Sequence, residues 1–208
     1  ARGYDESILK DIVGGSGGAA GGFHPDDVIS RVDNVRGGNG GGVIYLTSVN
    51  DIVIGSNGAL ITDGEKGNNG HRAGGGGSGG GVLLHAGGTV TNYGLLSVRG
   101  GNGGDSLGVN MDLYGTSSGG GGGGGRIAVT AESMTDEGQI KATGGEGGAI
   151  AYIDRNGHPF FKHTGKGGDG EEGTVYVRTA LGVDMSIDMT QGAAGTSKSL
   201  RIKGGDVT

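Results

Sequence analysis

Apolar residues in this chain fall in short alternating runs, each bounded by glycine. One run, Arg126-Ile127-Ala128-Val129-Thr130, is entered from the glycines at 119–125. After a polar connection it is followed, beyond Gly138, by Gln139-Ile140-Lys141-Ala142, and then Gly144-Gly145 begins the glycines again. The same order recurs in Val43-Ile44-Tyr45-Leu46 with Ala59-Leu60-Ile61-Thr62, and in Val82-Leu83-Leu84-His85 with Leu95-Leu96-Ser97-Val98. A last copy pairs Thr174-Val175-Tyr176-Val177-Arg178 with Asp184-Met185-Ser186-Ile187-Asp188. Alternation with period two predicts strands, and its recurrence marks a repeat protein. First strands starting at Val43, Val82, Ile127 and Val175 stand 39, 45 and 48 residues apart. A solenoid accepts such drift because insertions lie outside its rungs. Strands this short, with no helical layer to cover them, bury their apolar positions only by stacking rung on rung. The expected fold is all-β: a glycine-rich parallel β-helix or solenoid of four repeats over residues 36–179. An N-terminal arm with the first glycine tract (1–35) precedes it, and a C-terminal strand region (180–208) closes or extends it.

The glycine tracts have a frame of their own. Residues 37–42, 100–105 and 144–149 read Gly-Gly-X, with Asn, Asp or Glu at many X positions. Three is the period of the extended left-handed helix that polyglycine adopts in its second form. With glycine on two faces of three, such helices can pack at backbone distance and bond laterally, supported by Cα–H···O contacts. Packed polyglycine II helices are therefore expected beside the strands.

Outside the repeats, Tyr4, Ile8, Leu9, Ile12 and Val13 form a stripe closer to helical spacing. It either packs on its own domain or docks on a neighbouring subunit. His24-Pro25-Asp26-Asp27 resembles a helix start, although the β-branched residues after it equally suit a strand. Asp154-Arg155-Asn156-Gly157-His158 reads as a hairpin tip, since Asn-Gly suits the turn that strand twist prefers. The arm so formed carries Phe160 and Phe161, which point to opposite faces, and it either meets another copy or folds back. Leu200 and Ile202 lie in a final strand-like piece that would close a rung here or in the next subunit. Tyr4, Ile8, Leu9, Ile12, Phe160, Phe161, Leu200 and Ile202 are the candidate interface residues.

Composition sharpens this picture. Glycine supplies 56 of 208 residues, which alone would suggest disorder or low complexity. Two prolines exclude collagen, and regular apolar strands argue against disorder. A net charge of −6 argues against nucleic acid or an anionic membrane surface as partner. No run of 18 apolar residues would span a membrane. The absence of cysteine fits either a cytosolic protein or an extracellular one held together by packing. The sequence starts at Ala1 with no signal peptide, so a processed chain or a piece of a longer one is expected.

Little in the chain reads as chemistry. His24, His71, His85, His158 and His163 are scattered without metal-ligand spacing. Gly-x-Gly-x-x-Gly matches many times over and no helix follows it, and Gly165-Lys166 lacks the rest of a phosphate loop. Arg36-Gly37-Gly38 and Arg99-Gly100-Gly101 look like RNA-binding boxes but are more simply repeat-equivalent positions in an acidic chain. Residues 100–108 fit the nonapeptide that holds calcium in β-rolls, with Asp105 as the candidate ligand and 167–172 as a loose second copy. Calcium at Asp105 is the one cofactor considered. Asp63, Arg99 and Lys141 each fall near the end of a second strand and could stack in a column, as a polysaccharide-active β-helix enzyme would need. Without Trp as a sugar platform the chain is not read as an enzyme.

Gly125-Arg126-Ile127-Ala128-Val129 and Gly138-Gln139-Ile140-Lys141-Ala142-Thr143-Gly144-Gly145 resemble the glycine-rich repeats of large secreted structural proteins. The resemblance covers residues 36–179 at most, and it implies a β-helical chain with an extracellular or cell-surface, structural or adhesive role. The glycine tracts are less similar to those of phage tail-fibre adhesins and glycine-rich antifreeze proteins, which lack the aliphatic strands. The expected function is a building block of a self-assembling filament, surface appendage or matrix, its partners being copies of itself packed head to tail and side by side. The alternatives are a monomeric or trimeric adhesin whose loops, at 107–118 and 155–164, bind a receptor or surface glycan, and the enzyme above.

Overall fold

A computed structural model describes residues 13–21, 35–109, 117–153, 159–160, 166–180 and 184–188. Tyr4, Ile8, Leu9, Ile12, the segment 24–27, the tip 154–158, Phe161, Leu200 and Ile202 lie outside the described residues. The described residues form strands and no helix.

Each of the first three repeats supplies three strands: β1 (Val43–Ser48), β2 (Ile52–Ile54) and β3 (Ala59–Ile61); then β4 (Gly81–Ala86), β5 (Thr89–Asn92) and β6 (Leu95–Ser97). β7 (Ser106–Val109) leaves the repeat, and β8 (Arg126–Ala131), β9 (Ser133–Asp136) and β10 (Gln139–Lys141) make the third. Like stacks on like, in parallel and in register: β1-β4-β8 in one sheet, β2-β5-β9 in a second, β3-β6-β10 in a third. The first sheet continues through β13 (Thr174–Thr179), parallel to β8. The fold is thus all-β with parallel sheets.

The three sheets share one core. Val82, Leu84, Ile127, Val129, Val175 and Val177 come from the first, Ile54, Val90 and Met134 from the second, and Leu96, Val98 and Ala142 from the third sheet and the residues just after it. Burying each larger aliphatic side chain contributes about 1.5–3 kcal/mol, which offsets the entropy lost in ordering the glycines.

Three expectations are corrected by the register. Val43 pairs with Gly81, and Gly81 with Arg126, so Ile44, not Val43, is the counterpart of Val82 and Ile127. In a pleat of period two a shift of one residue exchanges the faces; Val43 is exposed, while Ile44 packs on the core. The connection read as polar after β8 contains the middle strand β9, and β2 and β5 fill the same place in the earlier repeats; all three send only alternate residues inward and are short. β14 (Asp184–Asp188) does not stack as a further strand of the third sheet; it turns back antiparallel to β13. Only residues 180–183 separate the two, too few for the corners and middle strand that fill 49–58 in the first repeat.

The hairpin expected around 154–158 is present as β11 (Ile150–Ile153) antiparallel to β12 (Pro159–Phe160). It does not stand apart, because β11 lies parallel to β7. The two long excursions therefore begin as paired strands of a fourth sheet.

Candidate functional site

Between the strands run glycine-rich tracts of two kinds. Tracts 35–42, 73–80, 118–125 and 166–173 lead into β1, β4, β8 and β13; tracts 62–69, 98–105 and 142–149 follow β3, β6 and β10. A further tract, 13–21, precedes them. All are joined sideways by backbone hydrogen bonds at three-residue steps, as tract 73–80 illustrates. Ala73, Gly76 and Gly79 donate to the carbonyls of Ser117, Gly120 and Gly123; Gly74, Gly77 and Gly80 to those of Asn68, Glu65 and Thr62; Gly75 and Ser78 to those of Ala19 and Ser16. These bonds are 2.7 to 2.9 Å long. Three classes of residue serve three neighbours, so the Gly-Gly-X frame of the sequence is the spacing of the bonds. Tracts of the same kind run parallel and tracts of opposite kind antiparallel, so Arg36 and Arg99 are not equivalent: Arg36 opens a tract that enters a strand, and Arg99 one that leaves a strand.

The outgoing tracts close their outer face with side chains. The N–H of Arg99 donates to the Asp63 carboxylate at 2.7 Å, that of Asp105 to the Asn69 side-chain oxygen at 2.8 Å, and that of Glu146 to the Asn102 oxygen at 3.0 Å. Each of these donors would otherwise reach for another tract. Asp63 also takes a bidentate grip from Arg99 at 2.8 and 3.0 Å and accepts the Ser97 hydroxyl at 2.6 Å. Its carboxylate is committed to bracing neighbouring repeats. Lys141 does not share its level: the register sets Lys141 beside Ser97 and Ile61, two residues ahead of Asp63 and Arg99. The expected three-residue column does not form.

Asp105 braces in the same way. Its carboxylate accepts the Lys66 ammonium at 2.9 Å and the Ala149 N–H at 2.9 Å. Asp169, in the loose second copy of the nonapeptide, accepts Lys166 and the Gly147 N–H, both at 2.7 Å. The two carboxylates stand on tracts that are not bonded to each other, and each faces hydrogen-bond donors. Among the described residues no three His, Asp or Glu side chains gather as a metal site. Burial alone would raise the Asp105 carboxyl, but the Ala149 N–H, Lys66 and Asn69 outweigh it and hold it below the usual carboxylate range. The folded chain therefore binds this proton more weakly than the unfolded one. Its stabilisation is present above the unfolded value of about 3.9 and is lost as pH falls through the depressed one. Asp105→Asn is expected to flatten the acid side of a plot of urea midpoint against pH; an unchanged slope would remove Asp105 from the account. Glu172 has the opposite sense: burial pushes its carboxyl up, and Oε2 is enclosed without a partner.

Among the described residues the first repeat forms an open end. β1, β2 and β3 are each the outermost strand of their sheet. In β2 and β3 the outward positions are apolar where later repeats are not: Val53 pairs with Thr91, which pairs with Thr135, and Ile61 pairs with Ser97, which pairs with Lys141. Val53 is 64% and Ile61 54% exposed, and Tyr45 is 53% exposed where its register partner Leu83 is 4%. Sequence reading missed this patch, although outward positions compared in the correct register carry the signal. Of the expected interface residues only Phe160 is described, in β12, and only its backbone position.

Among the described residues no helix is long and apolar enough to cross a membrane. No family model, no curated protein and no solved structure matches the chain.

Proposed function

We propose that this chain is an extracellular structural subunit, a short parallel β-solenoid backed by bundled polyglycine II helices, which assembles end to end into a filament, surface appendage or matrix. The open first repeat carries the reading. Strand edges with free N–H and C=O groups are templates for pairing, and here they coincide with exposed Tyr45, Val53 and Ile61. The other end differs, since β14 covers the first sheet while, among the described residues, β9 and β10 remain edges. Unlike ends favour head-to-tail contacts, and such contacts give fibres when the rotation does not close. The polyglycine reading is supported by the three-residue bond spacing and by backbones that avoid the left-handed region at every glycine described in detail.

Electron microscopy across a concentration series tests the proposal. Filaments are expected, and they should disappear in the double variant Tyr45→Asp/Val53→Asp. Both side chains are exposed, so the fold should change by no more than about 0.5 kcal/mol. Discrete particles of the unaltered protein at every concentration would sink it.

The adhesin reading has one observation in its favour: the paired excursions β7 and β11 begin where outgoing tracts 98–105 and 142–149 end. A glycan screen in which binding is lost with the 107–118 excursion would favour that reading.

A further inference from the structure

The glycines at 119–125 are not alike. A Cβ on Gly119, Gly121, Gly122, Gly124 or Gly125 would overlap the backbone of a neighbouring tract. On Gly120 and Gly123 it would find its nearest atoms at 3.5 and 3.8 Å, and on Gly168 nothing within 4 Å. None of the three has a left-handed backbone. Neither conformation nor internal contact calls for glycine there, and each one adds to the entropy cost of ordering the chain.

The same face carries backbone groups without partners among the described residues: the N–H groups of Gly120 and Gly123, and the carbonyls of Gly76 and Gly79. The strand register makes these four the counterparts of Gly75, Ser78, Gly38 and Gly41. There the groups are all used. Gly75 and Ser78 donate to Ala19 and Ser16 of tract 13–21 at 2.8 and 2.9 Å, and the carbonyls of Gly38 and Gly41 accept Gly18 and Gly15 at 2.8 Å. One groove of the slab thus demonstrates what the next is shaped to hold.

We propose that the groove between tracts 73–80 and 118–125 docks a glycine tract of a second copy of this chain. This deepens the filament reading and rests on its premise of self-assembly. The occupant must offer backbone donors and acceptors every third residue and carry only small side chains where it meets the groove, as tract 13–21 does with Ser16 against Ser78. Every copy supplies such tracts, and residues 119–125 of each copy already lie on this face. Direction is no obstacle, because parallel and antiparallel neighbours both bond within the slab. The opposite face is sealed by Asp63, Asn69 and Asn102, so lateral growth stops at two slabs and gives paired filaments.

The double substitution Gly120→Val/Gly123→Val tests this, since a Cβ at either position has room in the isolated fold and a branched side chain is bulkier than the Ser78 that the filled groove accommodates beside Ser16. Wild-type filaments should have twice the mass per length of the variant's, with circular dichroism and melting temperature unchanged. On assembly the wild-type Gly120 and Gly123 amides should exchange at least tenfold more slowly. Equal mass per length, or amides that exchange as fast in filaments as in monomers, overturns the proposal. Sedimentation of Tyr45→Asp/Val53→Asp separates it from the end-to-end contact. That protein should remain dimeric and become monomeric once the two valines are added. A monomer at high concentration without the valines also overturns it.

Discussion

Gly122→Ala is expected to cost roughly 3 kcal/mol or more, while Gly123→Ala, one residue further on, should be neutral or stabilise by about 0.4–1 kcal/mol. A Cβ on Gly122 would overlap the carbonyl of Gly77. That carbonyl belongs to tract 73–80, which is bonded to tracts 13–21, 35–42, 62–69, 98–105 and 118–125, and it already accepts the Gly101 N–H at 2.8 Å. Overlap with a backbone held by five neighbours is relieved only by separating tracts and breaking their bonds. Gly123 faces outward, and alanine there merely restricts the unfolded chain. Against a total of about 5–15 kcal/mol for a typical domain, the first change is large. Urea midpoints measured by circular dichroism, at concentrations where the protein is monomeric, should differ widely between the two variants. Equal midpoints would mean that close backbone approach is not what the glycines serve.

The repeat, its glycine frame and the strand faces around Ile127 and Val129 were legible because they rest on local periodicity. What failed was register between repeats. A sequence aligned by its apolar letters sets Val43 against Val82; the structure is aligned by tract ends, where Gly80 must lie against Gly42 and Gly125 against Gly80. The middle strands were hidden for a related reason. Ser133–Asp136 buries Met134 and Asp136 and shows the solvent polar residues, so its core-facing set is half polar. Asp105 was singled out as possible chemistry by the nonapeptide match and Asp63 by its place near the end of a second strand, and neither signal reports what a carboxylate is bonded to. Their partners Arg99, Lys66 and Ala149 lie some 35 to 45 residues away in sequence, and only stacking brings them together.

The two kinds of tract also separate two tasks. Side chains at the X positions of the outgoing tracts satisfy donors that would otherwise recruit more glycine, which limits the slab on that face. The incoming tracts leave Gly120, Gly123 and Gly168 bare. A protein that needed only a stable slab would gain from side chains there, and the docking proposed above gives the asymmetry a role in assembly.

Within the core, Asn92→Ala should destabilise by about 3–5 kcal/mol, and Asn92→Ile/Asp136→Val by less than the sum of its parts. Asn92 is fully buried and Asp136 nearly so. The Asn92 side-chain amide donates to the Asp136 carboxylate at 2.7 Å, and Asn92 Oδ1 accepts the Gly94 N–H at 3.0 Å. Removing Asn92 leaves an enclosed carboxylate with only the Gly138 N–H at 3.3 Å and a turn N–H without its acceptor. The first repeat has apolar Ile54 at this level, so the column itself tolerates hydrocarbon. Its turn manages by being longer, with Gly58 donating to the Gly55 carbonyl at 2.7 Å. The double variant should therefore recover the cost of the stranded carboxylate but not that of the turns at Gly94 and Gly138. A double-mutant cycle measures the difference. A coupling near zero would mean that the two side chains cap their own turns independently and that the buried ladder between repeats adds nothing.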